Sequence, residues 1–278
     1  GLLKMDILGL ANLTIMKNAL RIIHKIDGVT IDIEKIPLDN MKTFRMLARA
    51  ETVGGFQLES AGMQRYLREL TPTQIEDIIS MVALYRPGPM DSIPDFIEGK
   101  HARRKITYLH SSLKPILKST YGVIVTQDQV LEIARLFAGF TYGEADILRK
   151  AVGKKIKKML DEQREKFISG AMHTQAIDRE SAQRVWDFIE PFARYGFNRA
   201  HAACYALISY QTAYLKANYP HQFMAALLTS EHKNLDKVAV AIAECERMSI
   251  TVLPPDINES FVEFGVVEGV AQNPDHAS

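Results

Sequence analysis

The sequence predicts a mainly helical fold: a multi-helix domain with a short β remnant at its N-terminal edge and a short strand near its C-terminus. Three observations point there. Apolar residues recur at helical spacing through most of the chain, as in Leu13, Met16, Leu20 and Ile23. Glycine and proline fall between these runs, at Asp27-Gly28, Gly54-Gly55, Pro87-Gly88-Pro89 and Pro254-Pro255. An apolar share of 47% in 278 residues is enough to fill a substantial core, which excludes a disordered chain.

Taken in order, residues 2–10 alternate loosely and end near Gly9, the pattern of a short strand that turns into a helix over 12–25. Residues 29–33 alternate apolar and polar like a brief strand, and Leu38-Asp39-Asn40 opens a helix through Leu47. Gly54-Gly55 interrupts the helical run, and helices are then expected over 60–70 and, with a Thr-Pro entry, 73–84. Prolines on both sides of Gly88 stiffen the loop Tyr85-Arg86-Pro87-Gly88-Pro89. A short helix over 93–100, a basic polar loop through Lys105 and a helix-compatible run to Lys118 follow. Amphipathic helices are expected over 127–137, 142–151, 155–174, 179–188, 201–219, 221–231 and 236–247. Pro254-Pro255 ends the helical part, and residues 261–267 have the β-branched and aromatic content of a strand.

Charge and cysteine usage exclude several classes. With 34 Lys and Arg against 33 Asp and Glu, the chain is no uniformly basic coat, so any phosphate-binding face must be local. Cys204 and Cys245 lie far apart, without the spacing of a zinc knuckle or a disulfide framework, which fits a reducing, cytoplasmic setting. Charged residues interrupt every apolar run before membrane-spanning length, so no membrane partner is expected. The start at Gly1 reads as a cut edge, and residues 270–278 as a frayed or foreign tail.

Two constellations could carry chemistry. In Leu148-Arg149-Lys150-Ala151-Val152-Gly153-Lys154-Lys155-Ile156-Lys157-Lys158, positive charge gathers around a glycine between two helical runs. Such a cluster can engage a triphosphate or a DNA backbone, or simply be a solvated helix end. In Tyr195-Gly196-Phe197-Asn198-Arg199-Ala200-His201, an aromatic ring can stack on a base while Arg199 and His201 lie at a helix start, where backbone N–H groups favour an anion. The alternative there is a helix cap at Asn198 with a buried histidine. Tyr205, Tyr210, Tyr214 and Tyr219 on the following helix read as packing residues. Lys4 and Asp6 could meet a phosphate and a divalent metal or form an ordinary surface pair, since one carboxylate is not a magnesium site. Arg86 in its stiff loop is placed either for an anionic partner or for an ion pair that pins the loop.

In this order the segments resemble the family C DNA polymerases, the alpha subunits of bacterial DNA polymerase III. The matching stretches include Lys4-Met5-Asp6-Ile7-Leu8-Gly9-Leu10, Gly55-Phe56-Gln57-Leu58-Glu59-Ser60, Ala83-Leu84-Tyr85-Arg86-Pro87-Gly88-Pro89 and Tyr121-Gly122-Val123-Ile124. They continue through the basic cluster, Tyr195-Gly196-Phe197-Asn198, His201-Ala202-Ala203-Cys204-Tyr205-Ala206 and Leu253-Pro254-Pro255-Asp256-Ile257-Asn258. The resemblance implies a palm remnant over residues 1–40, a helical, nucleotide-binding fingers domain over 41–250, and the start of a C-terminal region with a frayed tail over 251–278. It implies that Asp6 is the last of three palm aspartates holding two catalytic Mg²⁺ ions, and that Lys4 contacts the incoming nucleotide's phosphates. The other two aspartates precede this stretch in the family, so the chain alone is expected to be inactive.

By the same resemblance Arg149, Lys150, Lys154 and Lys155 form a positive wall for the triphosphate; Arg86, held out by its stiff loop, is counted with them as nucleotide-binding. Tyr195, Asn198 and His201 stand near the nascent base pair, and Arg199, also nucleotide-binding, stands where a basic residue is usual. The implied partners are primer–template DNA, a deoxynucleoside triphosphate and the other polymerase III holoenzyme subunits, these last through parts mostly outside this chain. Two rival readings remain: a non-catalytic nucleic-acid-binding module whose basic cluster grips backbone only, and a replisome protein-interaction scaffold.

Overall fold

The computed structural model describes residues 5, 9–153 and 157–267. The described residues form a predominantly helical fold, as the periodicity predicts. Its helices are α1 (Ala11–Asp27), α2 (Met41–Ala48), α3 (Ala61–Leu70), α4 (Ile75–Leu84), α5 (Ile93–Lys100), α6 (Lys114–Leu117) and α7 (Gln127–Ala138). They continue with α8 (Tyr142–Gly153), α9 (Lys157–Gln175), α10 (Arg179–Tyr195), α11 (Arg199–Asn218), α12 (Pro220–Glu231) and α13 (Leu235–Arg247). The chain divides into two compact units, Gly1–Gln74 with Ile208–Ser278, and Ile75–Leu207, so that α11 begins in the second and ends in the first.

In the first unit the apolar stripe of α1, through Ile15, Met16, Ala19 and Ile23, packs with Phe223, Met224 and Leu227 of α12 and with Ala241 and Cys245 of α13. Helix starts follow local chemistry: Asn40 accepts from the Thr43 N–H at 2.9 Å, and Asn234 from the Lys237 N–H at 3.1 Å, each satisfying a donor that the helix leaves open. Gly54 has a φ of 77°, a left-handed conformation that favours glycine, and a Cβ there would stand 2.7 Å from a Leu227 methyl, which would have to shift.

A buried charge network holds the neighbouring backbone. The Lys216 side chain, 1% exposed, donates to the Glu51 and Val53 carbonyls at 2.9 and 2.8 Å and to Glu244 at 2.5 Å. Glu244 also accepts from Arg247 at 2.7 and 2.8 Å, and Arg247 reaches Glu51 at 3.1 Å. Burial pulls the Lys216 ammonium below its ordinary pKa, against the opposing pull of Glu244. Burial pushes Glu244 upward, but hydrogen bonds from Arg247 and Lys216 outweigh it and hold the carboxyl below its usual range.

Two expected strands take other forms. Residues 29–33 make no ladder, because their polar groups are used otherwise: the Asp32 carbonyl accepts from the Lys35 N–H and its carboxylate from the Glu34 N–H, while the Ile33 carbonyl accepts from the distant Gln211 side chain at 3.0 Å. Ile31 and Ile33 still pack on the core, which explains the alternation. Residues 261–267 are likewise irregular: the Phe264 N–H donates to the Thr229 hydroxyl at 3.0 Å and Glu263 pairs with Arg21, leaving Phe261 and Val262 exposed. The expected strand over 2–10 falls mostly outside the described residues.

The second unit is centred on Phe137, Phe167 and Trp186, contributed by α7, α9 and α10, with Leu148 of α8 joining the same cluster. Helix α9 crosses α7 closely at Gly170, where any Cβ would collide with the Ala138 carbonyl. Gln129, buried, accepts from the Val125 and Thr126 N–H groups at 2.7 and 3.1 Å and donates to Thr120 at 2.8 Å, fixing the start of α7. Helix α10 continues past its expected end at residue 188, through Pro191 to Tyr195. Proline forfeits one helical hydrogen bond there, and packing of Phe188 and Phe192 on the core favours continuation.

Candidate functional site

The start of α11 gathers several of the expected residues within the second unit. Phe197 lies beside the start of α7: its carbonyl accepts from the Gln127 N–H at 2.9 Å, and it makes a parallel bridge with Thr126. Gly196 permits that approach, since a Cβ would stand 2.7 Å from the Gln127 side chain and 2.8 Å from the Phe192 carbonyl. Asn198 caps α11 through a 2.9 Å hydrogen bond from the His201 N–H. The Arg199 N–H donates to the Asp128 carboxylate at 2.9 Å, so the positive end of α11 already carries an anion from the chain itself.

Four side chains stack in sequence above this turn. The Arg86 guanidinium lies 4.3 Å from the centre of the Phe197 ring, in the range of a cation–π contact. Phe197 meets His201 edge-on at 5.0 Å, and His201 stacks on Tyr205 at 4.2 Å with the planes 30° apart. Arg86 is half-buried and its Nε donates to the Ala83 carbonyl at 3.0 Å. Burial lowers its pKa from the ordinary guanidinium value. The preceding geometry comes from Gly88, whose φ of 102° lets the chain turn between two prolines. Asn198, Arg199 and His201 are exposed, whereas Arg86, Phe197 and Tyr205 are half-buried, so the His201 ring and the neighbouring Arg199 are the aromatic and cationic groups turned to solvent.

Arg149 and Lys150 form another group, exposed on α8. Both pair with Asp146, Arg149 at 2.7 Å and Lys150 at 2.7 Å, and hydrogen bonds from Lys150 and Arg149 hold the Asp146 carboxyl below its usual pKa. Exposed pairs of this kind are weak, so Asp146 orients the two cations at little cost to their exchange for another anion. Lys4, Asp6, Lys154 and Lys155 lie outside the described residues, as does the side chain of Tyr195, whose backbone closes α10.

Sequence reasoning passed over Asp128, and it set Tyr205 aside as packing. A signal for Tyr205 was present: Phe197, His201 and Tyr205 are spaced four apart across a helix start, which aligns them on one face. Tyr210 does pack, its hydroxyl donating to the Pro37 carbonyl at 2.7 Å and its ring lying 5.4 Å from Phe44.

The profile of the bacterial DNA polymerase III alpha subunit finger domain matches residues 12–175, more than half of the chain. This chain belongs to the bacterial DNA polymerase III alpha subunit finger family. The match covers Arg86, Arg149 and Lys150 and ends before α10. Relatives extend the likeness over the start of α11: the DNA polymerase III subunit alpha of Thermus aquaticus is 49% identical over 272 residues, 96% of this chain and 22% of its own length. The corresponding subunit of Halalkalibacterium halodurans is 46% identical over 268 residues, 96% of this chain and 24% of its own. That of Escherichia coli is 45% identical over 297 residues, 99% of this chain and 26% of its own. The chain thus spans about a quarter of the length of these relatives. Among the described residues no helix is long and apolar enough to cross a membrane.

Proposed function

We propose that this chain receives the incoming deoxynucleoside triphosphate and the nascent base pair during template-directed DNA synthesis by the complete polymerase. The observation that carries the reading is the Arg86–Phe197–His201–Tyr205 stack at the start of α11, in a chain of the finger family. A base has two apolar faces and a polar edge, which suits a site of aromatic rings beside exposed Asn198 and Arg199. Arg149 and Lys150, with Lys154 and Lys155, are the proposed triphosphate wall: the guanidinium offers a planar fork and the ammonium groups mobile charge. A triphosphate takes the place of Asp146 on the first two.

In this proposal residues 1–40 are a palm remnant, 41–250 form the fingers and 251–278 are the start of the C-terminal region with a frayed tail. Lys4 meets the phosphates and Asp6 supplies one carboxylate to a centre of two Mg²⁺ ions. Among the described residues no group of three or more His, Cys, Asp and Glu side chains is placed to hold a metal ion. Asp6 alone does not make such a centre, and the chain by itself is proposed not to extend a primer. The complete protein would work in the cytoplasm on primer–template DNA with the other holoenzyme subunits.

Single-nucleotide incorporation by the complete polymerase tests the assignment. Arg149→Ala or Lys150→Ala should weaken nucleotide use by roughly tenfold to a hundredfold, the loss of one charge-assisted hydrogen bond of about 1.5–3 kcal/mol. His201→Gln should lower nucleotide affinity or discrimination while leaving substantial synthesis at saturating nucleotide. Unchanged kinetics in all three variants refutes the reading, and loss of the chemical step alone in His201→Gln makes that residue a direct participant in catalysis.

A further inference from the structure

The second unit carries a basic surface that the nucleotide assignment does not use. The chain as a whole is nearly neutral, yet between Glu98 and Asp128 it contains no Asp or Glu, while Lys100, Arg103, Arg104, Lys105, Lys114 and Lys118 all fall there. Two of the six serve the fold. Lys100 reaches the buried Asp77 at 2.6 Å. Arg104, half-buried, donates to the Asp95 and Tyr121 carbonyls at 3.2 and 3.4 Å, tying its loop to the turn at Tyr121.

That turn and the loop are packed together by residues without side chains. A Cβ on Gly99 would stand 2.5 Å from the Tyr121 Cβ, and one on Gly122, at a φ of 86°, 3.1 Å from an Ile106 methyl. The Tyr121 ring meets Phe96 edge-on at 5.2 Å. Arg103 and Lys105, flanking the anchored Arg104, are thereby brought beside the turn that Lys118 begins, and Lys114 precedes Lys118 by one helical turn. Arg103, Lys105, Lys114 and Lys118 are exposed, and among the described residues none of the four has an acidic partner within ion-pair distance. Elsewhere in this unit the exposed Arg149, Lys150, Lys166 and Arg179 are each paired with a carboxylate.

We propose that Arg103, Lys105, Lys114 and Lys118 form a docking surface for the phosphate backbone of duplex DNA. The proposal rests on the reading that the complete protein handles DNA, and it adds a contact apart from the triphosphate wall. Four solvated cations held on an anchored loop and turn, with their charge uncompensated, release counterions from a polyanion at small conformational cost. A duplex fits better than a single strand, because single-strand surfaces expose aromatic platforms and the two tyrosines here, Tyr108 and Tyr121, are half-buried. A membrane surface fits poorly, since Leu109 is the one large apolar residue of the stretch that stands exposed among those described.

The test uses the complete polymerase carrying Arg103→Gln, Lys105→Gln, Lys114→Gln and Lys118→Gln together, with folding checked by circular dichroism. Binding of a labelled DNA duplex is measured across a salt series, beside a single-stranded oligonucleotide of the same length. Each lost contact should flatten the plot of log affinity against log salt by about 0.9 on duplex, so the fourfold variant should lose roughly 3.6 units of slope and bind weakly at low salt. The nucleotide KM at saturating DNA should not change, which separates this result from any failure of the Arg149 and Lys150 assignment. An unchanged duplex slope overturns the proposal, as does a loss confined to the single strand or to the nucleotide KM.

Discussion

Removing the charge of Glu244 should loosen the first unit more than any surface substitution. Lys216 is 1% exposed and Glu244 6%, and all three ammonium protons are used, two on backbone carbonyls and one on Glu244. Glu244→Gln leaves Lys216 facing only neutral acceptors, and breaking one side of a buried pair costs about 3–5 kcal/mol. Lys216→Met removes the cation but strands the Glu51 and Val53 carbonyls, each at about 1–3 kcal/mol if water does not reach them. Replacing both, as Lys216→Met with Glu244→Leu, should cost far less than the two single changes added together. Hydrogen exchange read by mass spectrometry on peptides of α13 gives the measure. A loss of 3–5 kcal/mol corresponds to protection falling roughly a hundred- to several-thousand-fold, at about 1.4 kcal/mol per factor of ten. Protection in Glu244→Gln within threefold of the parent, or strict additivity in the double variant, would refute the view that this pair holds the 51–53 backbone to α11 and α13.

Gly170→Ala should drive α9 away from the Ala138 carbonyl and cost at least about 1–3 kcal/mol of stability; a thermal midpoint equal to the parent's contradicts it. Asn198→Ala should cost about 1 kcal/mol through the lost α11 cap, and Asn198→Asp should retain most of it, as urea denaturation would show. Hydrogen bonds from Lys166 and from Thr141 lower the Glu144 carboxyl to about 2, below its unfolded value. Its stabilising contribution is therefore complete above the unfolded pKa and lost as pH falls toward 2, so the urea midpoint of Glu144→Gln should decline less than the parent's between pH 5 and pH 2, at roughly the range set by carboxylate titration. Identical acid profiles would show that this carboxylate is no better solvated by the fold than by water.

Local chemistry made much of the fold legible. Stripes such as Leu13, Met16, Leu20 and Ile23, caps at Asn40 and Asn198, and the stop at Gly28 act within a turn or two of chain, so periodicity and cap residues located most long helices to within a few residues, whereas α10 runs on to Tyr195 past its expected end at residue 188. The ordered motifs placed the chain in its family before any packing was known. Other signals misled where the same pattern serves two outcomes: alternation at 29–33 buries Ile31 and Ile33 equally well from an irregular turn whose polar groups find Asp32 and Gln211.

Tertiary structure alone decided the contacts that cross long stretches of sequence. Asp128 meets the start of α11 from 71 residues away, Phe197 lies under Arg86 because Gly196 admits the α7 start, and Lys216 becomes a buried cation only when α13 brings Glu244 to it. A residue's type states which partner it can accept, whereas which partner arrives depends on how distant helices close over a shared core. That closure is a collective balance of burial against chain entropy, and no local run of residues encodes it.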